Sequence, residues 1–110
     1  MKHIAIIVPD GQSTLSTVAC IVGTYEVFIR ANEYWKKTGK KELFKVELVG
    51  VSKRTEFDHG LLTVKPHAHI SAISKSSLII IPSLVSDFKK ALKGNTSLVD
   101  WISRQYKSRK

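Results

Sequence analysis

Two short stretches limit what this chain can fold into. Ile4-Ala5-Ile6-Ile7-Val8 and Leu78-Ile79-Ile80-Ile81 are unbroken apolar runs, each halted by a proline, Pro9 and Pro82. Such a run has no polar side to turn toward water, so it must be covered on both faces, as strands of a parallel sheet are. Proline then ends the strand because it cannot donate to the ladder. Parallel strands need a crossover, usually a helix, and the residues after Gly11 supply one. Val18, Ile21, Val22, Tyr25, Phe28 and Ile29 recur at helical spacing in a pattern running from near residue 13 to the lysines before Gly39. Ser13 or Thr14 is placed to cap its start. Lys36 and Lys37 complement the dipole at its end, and Gly39 suits a left-handed exit. Residues 43–51, with Phe44, Val46, Leu48, Val49 and Val51 apolar, read as a second strand and complete a strand–helix–strand unit.

The remainder is consistent with a single α/β unit over residues 1–110. Asp58-His59-Gly60 signals a turn, and Leu61, Leu62 and Val64 suggest a short extended arm. Ile70, Ala72 and Ile73 make a weak connecting segment. Ser86 or Asp87 can cap a short helix through Leu92, closed by Gly94. Asn95 or Thr96 can cap a last helix, whose apolar face is expected to be Leu98, Val99, Ile102 and Tyr106, with Trp101 flanking it. Three strands and an arm make a thin sheet, since doubly wound sheets usually carry five or more. The expectation is that these residues form the leading part of a larger domain, and that an open sheet edge favours self-association, as a homodimer or larger assembly.

The formal charge is +9, from 18 Lys and Arg against 9 Asp and Glu. The basic residues are scattered at expected helix ends and loops, where they serve solubility. Residues 104–110 are the exception, a basic tail that could meet nucleic-acid phosphates. Cys20 is the single cysteine, so no internal disulfide can form, which fits a reducing compartment. No apolar run reaches the roughly 20 residues of a membrane span, and the N-terminus shows no cleavage-site pattern. A cytoplasmic location is expected.

Several residues invite a chemical reading. Glu26 lies on a largely apolar helix and reads as a structural carboxylate hydrogen-bonded near a loop. Cys20 has no basic neighbour in sequence to activate it and reads as a packed small side chain. His67 and His69 fall on one face of an extended segment, but no third ligand adjoins them, and no metal is assigned. His3 and His59 read as surface residues. Trp35 and Trp101 sit at helical spacing with other apolar groups, so core or dimer packing is expected of them.

A family resemblance rests on pieces spread over nearly the whole chain. They are Ile6-Ile7-Val8-Pro9-Asp10-Gly11; Gly23-Thr24-Tyr25-Glu26-Val27-Phe28 with Ala31-Asn32; Phe44-Lys45-Val46-Glu47-Leu48-Val49-Gly50; Gly60-Leu61 with Val64; Leu78-Ile79-Ile80-Ile81-Pro82; and Asn95 with Leu98-Val99-Trp101-Ile102. In order and spacing this resembles the N-terminal domain of GlxA-type AraC-family transcriptional regulators, within the ThiJ/PfpI (class I glutamine amidotransferase-like) superfamily. The resemblance implies a three-layer α/β/α sandwich with a flavodoxin-like parallel sheet, often dimeric. In enzyme members a cysteine on a strand-to-helix elbow is the nucleophile, and that elbow falls just after residue 110. An acid near that cysteine tunes it. Here the two possible registers put Cys20 or Ser16 at the acid's position, and the glycine pair after the third strand is Ser83-Leu84.

These departures imply a domain that keeps the fold without the chemistry. The expected role is sensing a small-molecule effector or dimerising, with DNA contacted only through a helix-turn-helix domain outside these residues. No catalytic residue, metal or cofactor is assigned. Any ligand pocket is expected at the carboxyl ends of the strands, with Ser16, Cys20, Glu26, Ser83 and Leu84 as candidates. The rivals are a fragment of a PfpI-type cysteine hydrolase or hydratase, and a basic nucleic-acid-binding module.

Overall fold

The structure is a computed structural model that describes residues 2–11, 14–83 and 88–108, the side chain of Phe88 excepted. Strand β1 (Lys2–Ile7) is followed by helix α1 (Leu15–Lys37), β2 (Phe44–Gly50), a hairpin of β3 (Thr55–Phe57) and β4 (Leu62–Val64), and the two-residue β5 (Ala68–His69). A single 3₁₀ turn (Ile70–Ala72), β6 (Leu78–Ile80), α2 (Phe88–Gly94) and α3 (Thr96–Lys107) complete the order. Strands β5, β2, β1 and β6 form one parallel sheet in that order, and β3 pairs antiparallel with β4 apart from it.

The alternation along β1 explains the layers. Ile4, Ile6 and Val8 point to one face, where they pack with Val18 and Ile21 of α1 and with Phe57 of the hairpin. Ala5 and Ile7 point to the other, against Val49, Ile70 and, from α3, Leu98 and Trp101. The apolar run in β1 is therefore buried on both sides, because a helix lies on each. Helix α1 presents Val18, Ile21, Tyr25 and Phe28 to the sheet, and its phase turns Val22 outward.

At its start the N–H of Thr14 is accepted by Thr17 Oγ1 at 3.2 Å. The expected caps Ser13, Ser86 and Asp87 lie outside the described residues. The hairpin turn is carried by positive φ at Asp58, His59 and Gly60, with Leu61 N–H donating to the Asp58 carbonyl at 3.0 Å. Central residues at positive φ suit the twist of a tight hairpin.

Two local expectations change. The segment read as a weak connection is the 3₁₀ turn Ile70–Ala72, and the extended stretch just before it forms β5, which extends the sheet to four strands through Val49↔Ala68 and Gly50↔His69. Gly50 allows this close approach, since a β-carbon there would lie 3.2 Å from both Pro66 Cγ and the Val8 carbonyl oxygen. The buried face of α3 is Leu98, Trp101 and Gln105, whereas Val99 and Tyr106 are exposed. Gln105 can be buried because its carboxamide accepts from Ser76 N–H at 3.0 Å and donates to the Ser74 carbonyl at 3.0 Å. Among the described residues no helix is long and apolar enough to cross a membrane.

Candidate functional site

The carboxyl ends of β1 and β2, together with the chain after β6, gather two small polar clusters. The first is centred on Asp10, just after β1. Its carboxylate accepts the Ser52 hydroxyl at 2.9 and 3.1 Å and the Thr55 hydroxyl at 3.1 Å. Its backbone N–H donates to Asn95 Oδ1 at 2.7 Å, and its carbonyl accepts from Asn95 Nδ2 at 2.9 Å. Asn95 Nδ2 also donates to the Ala91 carbonyl at 2.8 Å. Asn95 does occupy the N-cap of α3, but its side chain ties the α2–α3 junction to the end of β1 and makes no capping bond. Asp10 thus joins three loops, and the local turn signal Pro9-Asp10-Gly11 gives no hint of partners more than forty residues away.

The second cluster joins α1 to the end of β6. Thr17 Oγ1 donates to the Ser83 carbonyl at 2.8 Å, and Cys20 Sγ lies 3.4 Å from Ser83 Oγ. The Cys20 thiol is held below its ordinary pKa by hydrogen bonding to the Ser83 side chain and, next, its backbone, which favour the thiolate. Cys20 is exposed and is not the packed side chain expected of it. It precedes the buried Ile21 by one position, which turns it about a quarter of the helix circumference from the sheet. Of the candidate pocket residues, Cys20 and Ser83 come together. Ser16 is exposed, and Thr17, which is fully buried, makes the contact to Ser83 that sequence register did not assign. Leu84 lies outside the described residues.

Glu26 is not near this corner. It is exposed and pairs with Arg30 one turn on at 2.7 Å, while Arg30 also reaches Glu33 at 2.6 Å. Glu33 and then Glu26 raise the pKa of the Arg30 guanidinium. The reason is helical phase. The sheet-facing positions are 18, 21, 25, 28 and 32, and Glu26 follows one of them directly.

The histidines also differ from expectation. His3 is not a free surface residue: Nδ1 lies 2.9 Å from Ser76 Oγ and Nε2 lies 2.8 Å from Glu47 Oε1, so the ring bridges β1, β2 and the start of β6. His67 stacks on Tyr25 with ring centroids 5.4 Å apart, and its Nδ1 accepts Leu48 N–H at 2.8 Å. His69 Nδ1 accepts Ser71 N–H at 3.0 Å. The two rings are committed to separate partners. Among the described residues no group of three His, Cys, Asp or Glu side chains is placed to hold a metal ion. Trp101 lies in the core as expected and donates to the Ile73 carbonyl at 3.2 Å, whereas Trp35 is half-buried beneath Lys40 Nζ, 4.1 Å from the ring centroid.

No protein-family model and no curated protein matches the sequence. Solved structures do. A candidate transcriptional regulator from Vibrio parahaemolyticus aligns with a TM-score of 0.72 at 20% identity, over 97% of this chain and 52% of its own. A cysteine-to-alanine mutant of a DJ-1 superfamily protein from Salmonella typhimurium aligns with a TM-score of 0.52 at 11% identity, over 98% of this chain and 51% of its own. The chain spans about half the length of each. Parallel β5-β2-β1-β6 order, a helix layer on each face and these two likenesses together give the chain a flavodoxin-like α/β fold of the DJ-1/ThiJ type.

Proposed function

We propose that this chain is part of a non-catalytic sensing or dimerising domain of a transcriptional regulator of the GlxA/AraC type, acting on DNA through residues outside it. The observation that carries this reading is where the carboxylates sit. Glu26 faces solvent on α1, and Asp10 is engaged by Ser52 and Thr55. Among the described residues the hydrogen-bond partner of Cys20 is Ser83 and not a carboxylate, which supports the non-catalytic reading. The likeness to the Vibrio protein, described as a regulator, supports the same assignment.

Dimerisation fits the surface. Helix α1 exposes Val22, Val27 and Tyr34 on its outer side, and the edge strand β6 carries exposed Leu78 with Ile81 just beyond it. Apolar surface of this kind favours a second chain.

The test is a repression assay in which this chain is fused to a monomeric DNA-binding half of a repressor that acts only as a dimer. Restored repression that is lost in Val27→Asp is the expected result. Failure to repress, with the fusion present at normal level, overturns the dimerising role. The alternative is a fragment of a PfpI-type cysteine hydrolase or hydratase, whose nucleophile would come from an elbow outside these residues. A cysteine elbow with a following histidine, and no helix-turn-helix, in the sequence joined to this chain would favour it.

A further inference from the structure

A groove of about 320 Å³ runs between the 3₁₀ turn and the outer side of α3, lined by His69, Ser71, Ser97, Asp100, Trp101 and Arg104 together with Ile70 and Val51. A second cleft adjoins it and shares Ile70, Ser71, Trp101 and Arg104, so the arginine stands where the two meet. It belongs to the opposite face of the sheet from α1 and shares no residue with the Cys20–Ser83 corner.

Asp100 and Arg104 are one helical turn apart on α3, in the order that favours pairing, yet neither makes an ion pair among the described residues. Both are exposed and available. His69 adds a directed donor. Because its Nδ1 accepts Ser71 N–H, the neutral ring carries its proton on Nε2. The Ser71 hydroxyl lies 2.8 Å from His69 Nδ1 and donates to it, so it is left to accept, while the Ser97 hydroxyl can donate or accept. The buried Trp101 and Ile70 with half-buried Val51 give the groove an apolar floor.

We propose that this groove binds a small zwitterion with an apolar side chain, an aliphatic α-amino acid or a close analogue. The Arg104 fork takes the carboxylate, as its planar geometry allows. Asp100 takes the ammonium group, and it disfavours a phosphate, whose charge it would repel. The volume lies near the lower end of the roughly 300–1,000 Å³ of small-molecule sites, which limits the ligand to a few heavy atoms beyond the amino-acid core. The inference stands apart from the regulator assignment, since binding is read on the chain itself.

The experiment titrates the isotopically labelled 110-residue chain with L-leucine, acetate and inorganic phosphate while following amide and indole resonances. L-Leucine is expected to shift Ser71, Ser97 and the Trp101 indole saturably, with a Kd on the order of 1 mM for so open a site. Arg104→Met should weaken that binding about tenfold or more, the loss of a charged hydrogen-bonding partner. Asp100→Asn should weaken L-leucine while leaving acetate as it was. Both positions are exposed, so distant resonances report that each variant is folded. Absence of saturable shifts, equal shifts in Arg104→Met, or a response to phosphate with none to L-leucine each overturns the proposal.

Discussion

Asn32 and Phe44 hold each other at both ends of one residue's backbone. Asn32 Nδ2 donates to the Phe44 carbonyl at 2.8 Å, while its Oδ1 accepts Phe44 N–H at 3.1 Å and Leu43 N–H at 3.2 Å. The side chain is buried on α1, and the backbone it satisfies begins β2. This contact sets where the crossover returns to the sheet, beside the edge-to-face pair of Phe28 and Phe44, whose centroids are 5.4 Å apart. We therefore expect Asn32→Leu to destabilise the fold by about 2–4 kcal/mol, because it strands buried backbone groups without partners. Urea unfolding measures it, and a loss below about 0.5 kcal/mol, the usual limit for an inconsequential surface change, would contradict the assignment.

The hairpin is a structural part of the core. Phe57 is 1% exposed and sits with Ile4, Ile6, Val8 and Ile21, so Phe57→Ala should cost about 3–5 kcal/mol, a large share of a small domain's stability. Leu61, at the hairpin tip, is 66% exposed, and Leu61→Ala should change stability by less than about 0.5 kcal/mol. Comparable losses from the two variants would show that the hairpin does not pack as described.

Asp10 should act as a clamp on three loops. Asp10→Ala removes the acceptor of the Ser52 and Thr55 hydroxyls but keeps the backbone bonds to Asn95. Faster amide hydrogen exchange around Ser52 and Thr55 than around Asn95 is the expected pattern. Equal acceleration at all three would point to general destabilisation, and no change would remove the clamp.

The Cys20 thiol gives a pH test. Hydrogen bonds from Ser83 favour the thiolate, so the folded chain should be alkylated by iodoacetamide at lower pH than a free cysteine would be. Ser83→Ala removes the larger cause, the side-chain bond, and leaves the backbone one. The midpoint of the rate–pH curve should therefore move upward without reaching that of the unfolded chain. A midpoint that stays put, or falls, contradicts the contact.

Glu26→Gln separates a surface ion pair from a site residue. Its exposed pairing with Arg30 predicts an unchanged unfolding midpoint and unchanged dimerisation. Loss of either would return Glu26 to the site.

Much of the fold was legible in residue order. The β1 and β6 runs could be placed as strands because each is a short unbroken apolar stretch halted by proline, and the long helix because its apolar residues recur at helical spacing. The extended stretch at residues 67–69 was legible but its place in the sheet was not, because β5 pairs through only two residues and carries no hydrophobic pattern. The face of α3 was misread because buried Gln105 looks polar in a list of residues. Its pairing with the Ser76 N–H and the Ser74 carbonyl is what makes it a core position.

The site was less legible still. Sequence register offered Ser16, Cys20 and Glu26 as neighbours of one corner, but a helix turns about 100° per residue, so a shift of one position decides whether a side chain meets the sheet or the solvent. Composition and periodicity by themselves determined that the chain is an α/β unit whose first strand is covered on both faces, because apolar surface must leave water whatever the details of packing, whereas in the second apolar run Leu78 and Ile81 are exposed. Tertiary structure alone decided which polar groups meet: Asp10 with Asn95, His3 with Glu47 and Ser76, Thr17 and Cys20 with Ser83. Hydrogen bonds are short and directional, and these partners stand as far as 85 residues apart along the chain, so only the folded backbone brings them within reach.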